Sequence, residues 1–196
     1  MRSMEKHHEA YQAAFAPRGI HVEQREVFAN EGRSSREVIG SIAKARGLGL
    51  TKGELDEMNE VKKATFRGFG PMERYPGVDA MVVRLRARGL RLALVSGTGR
   101  SNIDHHFGDW LRHFEVVVSA DDVTRTKPDP EPYRRALEKL ALAAGEAVVV
   151  ENAPLGIRAA KGAGLRVIAV ASTNPPDALK EADVVVEEVA DVEALL

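Results

Sequence analysis

The sequence predicts an α/β protein: a doubly wound parallel sheet attached to a smaller all-helical unit. Three observations carry this. After residue 71 the chain alternates helical segments with short β-branched runs. Those runs are apolar at every position, which suits parallel strands covered on both faces. Before residue 70 the apolar residues recur at helical spacing and no run reads as a strand.

In chain order, Met4, His8, Tyr11 and Phe15 share one helical face, and Pro17-Arg18-Gly19 ends that run. Ser34-Ser35-Arg36-Glu37 is a capping box, in which a serine oxygen accepts the N3 amide while Glu37 reaches back. Val38, Ile39, Ile42 and Ala43 follow as an apolar stripe that stops at Gly47. Thr51-Lys52-Gly53-Glu54 repeats the device and opens a helix carrying Leu55, Met58, Val61 and Ala64. Gly68-Phe69-Gly70-Pro71 breaks the pattern and reads as a hinge. Expected strands then lie at 92–95, 116–118, 147–150, 167–170 and 184–186, with helices at 78–88 and 130–142 among them.

Composition removes several function classes. The 196 residues suffice for one domain or one domain with an insertion. A formal net charge of -1 and 5% aromatic residues argue against a nucleic-acid partner or an anionic membrane surface. The absence of cysteine excludes disulfides, thiolate zinc sites and cysteine nucleophiles. The first residues carry no apolar run, no segment reaches a membrane-spanning length, and the expectation is a cytoplasmic protein.

The chemistry sits where strands end, because open α/β sheets bind ligands beyond the carboxyl ends of their strands. Val95-Ser96-Gly97-Thr98-Gly99 places hydroxyls and exposed amides before a helix, an arrangement suited to an oxyanion and equally to an ordinary capped loop. Lys127 precedes Pro128-Asp129-Pro130, where Asp129 is a candidate N-cap and Pro130 fits the first helical position. Glu151 and Asn152 follow four apolar residues, and oxygen donors at a strand end suit a hard cation such as Mg2+. Asn152 is also placed to cap the next helix. His8, His105, His106 and His113 lack the spacing of a zinc hydrolase and read as surface or hinge histidines.

Together these motifs resemble the haloacid dehalogenase superfamily, in its phosphatase and β-phosphoglucomutase-like subgroup with a helical cap. The resemblance covers essentially the whole chain. It implies a cap over residues 1–70, with the cap's specificity loop at Gly32-Arg33-Ser34-Ser35, and an α/β core over residues 71–196. Ser96 matches the hydroxyl that binds the transferring phosphoryl group, Gly97 and Thr98 the loop after it, and Lys127 the family lysine. Glu151 and Asn152 match the paired acids that hold Mg2+, with an amide in place of the second acid. His7 falls where members carry a histidine near the catalytic aspartates, so His7 and Arg33 join the expected phosphate-binding set.

The family carries Asp-x-Asp at the end of its first strand, upstream of the positions matching Ser3 and Met4. The first aspartate attacks phosphorus and the second is the general acid/base. That strand is central, between those ending at Ser96 and Glu151, and residues 1–3 hold no counterpart. A core lacking it leaves two buried edges unpaired, at roughly 1–3 kcal/mol for each unsatisfied group. The expectation is therefore a shortened reading frame, closure of the sheet across the gap, or strand donation by a partner, with the first preferred. The implied activity is Mg2+-dependent hydrolysis of a small phosphorylated metabolite, a sugar phosphate among the candidates, through an aspartyl-phosphate. A phosphosugar mutase, with Arg33 and Arg36 assisting, and a non-catalytic phosphate-ligand or partner-binding relic are the alternatives. A monomer or homodimer is expected, with strand exchange at the open sheet position as one form of association.

Overall fold

A computed structural model describes all of residues 1–196. Four helices make up the first third: α1 (Met4–Phe15), α2 (Gln24–Phe28), α3 (Ser35–Ala45) and α4 (Lys52–Arg67). Both capping boxes form. Ser34 accepts from the Glu37 amide while Glu37 takes the Ser34 amide at 3.0 Å, and Thr51 and Glu54 do the same at the start of α4. Phe15, Val22, Ile39, Ile42 and Met58 close the core of this helical part. The short helix α2 carries no periodic signal in the sequence. Glu23 and Glu26 hold its first turn, through a reciprocal pair of backbone contacts.

The remainder runs α5 (Val78–Ala87), β1 (Ala93–Val95), α6 (Arg100–Phe107), β2 (Val116–Val118), α7 (Glu131–Leu140), β3 (Val148–Glu151), α8 (Pro154–Gly162), β4 (Arg166–Val170) and β5 (Val184–Val186). Every strand pair is parallel, as the unbroken apolar runs require. In β4, Val167 and Ala169 pack with Ile157 of α8 and Tyr133 of α7, whereas Ile168 and Val170 pack with Met81 and Leu85 of α5. Alternate residues thus enter opposite layers, the consequence of a two-residue side-chain period. Helix α7 starts one residue later than its sequence signals suggest. Asp129 still serves its opening turn, accepting the Glu131 amide at 2.9 Å.

The strands form two sheets, β1-β2 and β3-β4-β5. Neither β1 nor β3 pairs with the other, so one edge of each faces the space between them. Val150, in the middle of β3, is 44% exposed there. No helix is long and apolar enough to cross a membrane.

Candidate active site

A cleft of about 380 Å³ opens where the carboxyl ends of β1 and β3 meet the helical part. Ser96, Gly97, Thr98, Lys127, Glu151, Asn152, His7 and Arg33, the whole set expected from sequence, line it. Helix packing brings the α1 side of the chain and the loop after α2 over the strand ends, which is how residues more than a hundred positions apart share one cavity.

Lys127 and Glu151 form the electrostatic centre. They are 5% and 9% exposed, and Lys127 Nζ donates to Glu151 Oε1 at 2.6 Å. The ammonium also donates to the Val95 carbonyl at 3.3 Å and lies 4.9 Å from the centre of the Tyr133 ring. Two of its three protons are thereby committed and one remains for a ligand. Glu151 accepts the Tyr133 hydroxyl on Oε1 at 2.9 Å and the amides of Asn152 and Ala153 on Oε2 at 2.8 and 3.0 Å. Burial pushes its carboxyl up, but the Lys127 charge and these hydrogen bonds outweigh burial and hold it below the ordinary carboxylate range. Gly156, in the first turn of α8, leaves the space the carboxylate occupies, since a Cβ there would overlap it.

Ser96 follows β1 directly, and its Oγ accepts the Thr98 amide at 3.1 Å. The Asp121 carboxylate takes the Arg100 amide at the mouth of α6 at 2.7 Å. Gly97 lies directly under the helical part, where a Cβ would come within 2.5 Å of the Gly32 carbonyl oxygen and 2.8 Å of that of Arg33.

His7 and Arg33 reach the cleft with different surroundings. His7 stacks on Phe66 with ring centres 4.0 Å apart, and its Nδ1 is 3.0 Å from Lys62 Nζ. Burial, then the Lys62 charge, drives this imidazole well below its ordinary value, so it is neutral. Arg33 carries a buried Nε without a hydrogen-bond partner. Arg36 does not reach the cleft and pairs with Asp56 at 2.7 Å.

Three participants escaped the sequence reading. Tyr133 lies among apolar helix positions and gave no signal. Lys62 is 3% exposed, within 4.9 Å of the centres of the Tyr11 and Phe66 rings, and burial lowers it to about 7. Glu31 is the third: Asn152 Nδ2 donates to its Oε1 at 2.7 Å. Burial, followed by the charge of Glu151, raises the Glu31 carboxyl. His106, expected as a surface or hinge residue, is buried, and its Nδ1 meets the Gly70 carbonyl at 2.8 Å.

Oxygen donors of the kind a hard cation takes are present in Glu151, the free Oδ1 of Asn152, and Glu31. The two carboxylates are close enough for one charge to disfavour the other, a repulsion that a cation relieves. Asn152 Oδ1 and the Glu31 carboxylate are oxygens of the kind Mg2+ takes, whereas Glu151 would have to give up one of its four hydrogen bonds to join them.

A parallel sheet that gathers a buried lysine–carboxylate pair at its carboxyl edge, under a helical cover, defines a capped α/β hydrolase. The chain belongs to the haloacid dehalogenase-like hydrolases, whose family pattern matches residues 3–170. It falls in the branch of phosphohydrolases and β-phosphoglucomutase-like proteins. Protein CbbY of Rhodobacter capsulatus is 29% identical over 180 residues, covering 84% of this chain and 77% of the relative. The bifunctional riboflavin kinase/FMN phosphatase of Arabidopsis thaliana is 28% identical over 173 residues, and the match spans 45% of that longer protein. Among solved structures, a β-phosphoglucomutase-like protein of Bacteroides vulgatus superposes with a TM-score of 0.86 at 30% identity, over 98% of this chain and 81% of its own. CbbY of Rhodobacter sphaeroides, solved with xylulose-1,5-bisphosphate, gives 0.84 at 25% identity, over 97% and 90%.

Proposed function

We propose that this chain carries the phosphoryl-binding groups of a Mg2+-dependent phosphohydrolase for a small phosphorylated metabolite, with a sugar phosphate as the favoured class. The observation that carries the reading is the buried Lys127–Glu151 pair beside Ser96, at the carboxyl ends of two parallel strands. Residues 1–70 act as the cap and residues 71–196 as the core. The comparison with CbbY, which binds a sugar bisphosphate, supports the substrate class.

Each residue contributes by position. Lys127, aligned by Glu151 and the Val95 carbonyl, places its free proton and charge against a phosphoryl oxygen. The Ser96 hydroxyl, set by the Thr98 amide, and the amide of Gly97 supply neutral donors to the same group. Glu151 and Asn152 would hold Mg2+, which when bound would supply positive charge to neutralise the phosphoryl group. His7, kept neutral by burial, orients through Lys62, and Arg33 brings charge from the cap.

The family mechanism runs through an aspartyl-phosphate. The acids lining this cleft are Glu31 and Glu151, and both are engaged in hydrogen bonds. That observation favours phosphate-ligand binding without turnover as the second reading. Phosphate release from para-nitrophenyl phosphate and a sugar-phosphate panel, with and without Mg2+, separates the two. Lys127→Met and Ser96→Ala serve as controls, and an Asp-x-Asp strand fused to the N-terminus serves as the gain arm. The hydrolase reading expects release that Lys127→Met lowers by about 100-fold or more, the scale for removing one transition-state donor. Silence with the fused strand present, or release indifferent to both substitutions, overturns it.

A further inference from the structure

Asn152, Thr173 and Asn174 converge on one carboxylate. Asn152 Nδ2 donates to Glu31 Oε1 at 2.7 Å, while Thr173 Oγ1 and Asn174 Nδ2 each donate to Oε2 at 3.1 Å. The cradle is internally braced, because Asn152 Nδ2 donates to Thr173 Oγ1 at 2.7 Å and Asn174 Nδ2 to the Asn152 carbonyl at 3.0 Å. Its donors come from the loops after β3 and β4, the edge of the sheet where ligands bind. The carboxylate they hold comes from a different part of the chain, the loop between α2 and α3.

All three donors are uncharged, and Glu151 repels the carboxylate they hold. No direct ion pair holds Glu31, and the Met1 ammonium attracts it only from beyond ion-pair distance, a weak grip for a half-buried charge. Its loop meets the core through carbonyl contacts at Gly97 and a 3.3 Å bond from the Ser34 amide to Thr126 Oγ1. Gly32 also lies beside the Lys127 stem and Leu155, and Thr126 bonds Glu37 just beyond the loop, so lifting it breaks polar contacts and a small apolar one.

We propose that Asn152, Thr173 and Asn174 form an oxyanion-binding site, with Glu31 as its displaceable internal occupant. A carboxylate or phosphoryl group of an incoming ligand takes the three donors when the loop lifts, and Glu31 refills them when the ligand leaves. Asn152 serves this site through Nδ2 and leaves Oδ1 free. The site needs no turnover, so it stands or falls independently of the hydrolase reading.

Calorimetric titration with inorganic phosphate and with acetate, both without Mg2+, tests it. The unsubstituted chain is compared with Glu31→Ala, with Glu31→Ala in a Thr173→Val/Asn174→Ala background, and with Glu31→Ala in a Ser96→Ala background. Glu31→Ala is expected to bind at least one probe about 10-fold tighter, the scale of removing one charged competitor. The gain disappears when Thr173 and Asn174 are replaced and persists when Ser96 is replaced. A gain for phosphate alone assigns a phosphoryl ligand; a gain for acetate adds carboxylates. No gain in folded Glu31→Ala, or a gain that survives loss of Thr173 and Asn174, overturns the proposal. Glu31→Gln, which keeps the shape and removes the charge, is the second variant: it is expected to bind tighter by a smaller factor, and unchanged affinity counts against the site.

Discussion

Lys127 is a structural residue of the core as well as the residue proposed to meet a phosphoryl group. With Glu151 beside it, the pair is buried and the remaining lone pairs of Glu151 are filled by Tyr133 and two amides. Breaking a buried pair from one side leaves an uncompensated charge, so Lys127→Met is expected to cost about 3–5 kcal/mol. Glu151 sits below the ordinary carboxylate range when folded, so its contribution is full above that range and is lost as pH falls through the folded value. With Lys127 gone, burial dominates and the carboxyl moves up, so acid unfolding should begin at a higher pH. Urea unfolding at neutral pH and across an acid series measures both effects; an unchanged midpoint throughout would show that the pair contributes nothing. Both residues were legible as site residues from their places at a helix mouth and a strand end. Their pairing was not, since 24 positions separate them and only the packing of α7 against α8 and β3 brings them together.

At the scale of elements, the α-helical signals carried far because caps and stripes are local. Ser34 and Thr51 cap as their sequences demand, and the five strands fall within a residue or two of the apolar runs that mark them. What local pattern could not show is where three helices meet. Lys62 of α4 contacts His7 of α1, His7 stacks on Phe66, and Phe66 meets the His106 ring of α6 with centres 4.7 Å apart. From sequence, Lys62 is one more lysine on a polar helix, and its burial follows from tertiary packing alone. Its folded value, about 7, lies below the ordinary 10.5, so the unfolded chain holds the extra proton between those two values. Stability should therefore rise as pH increases from about 7 toward 10.5, with the full penalty present below 7. Lys62→Met keeps the length of the side chain and removes the charge. It is expected to raise the thermal midpoint at neutral pH and flatten that rise, and thermal melts from pH 6 to 10 read both. A midpoint that falls in the variant would mean that contact with the Tyr11 and Phe66 rings outweighs the desolvation of the ammonium.

For the molecule as a whole, the two parts are held together over the site itself. Glu31 meets the cradle, Gly32 and Arg33 lie on Gly97, Ser34 and Glu37 bond Thr126, and the hinge at Gly70 is tied to His106. Apart from the Phe66 ring against His106, these contacts are polar, whereas the helical part and the sheet each have their own apolar core. Polar seams between separately packed parts open at lower cost than apolar ones, because water replaces the lost hydrogen bonds. Glycine at 97 is what allows the cover to close fully, as a Cβ there would press on two carbonyl oxygens of the cap loop. Gly97→Ala should thus leave both cores intact and push the cover off the strand ends. Circular dichroism is expected to stay unchanged while small-angle scattering gives a larger radius of gyration and proteolysis accelerates in the loop around Gly32. An equal radius and an equal cleavage pattern would mean that the loop yields locally, and that closure depends on the Glu31 cradle instead of on the fit at Gly97.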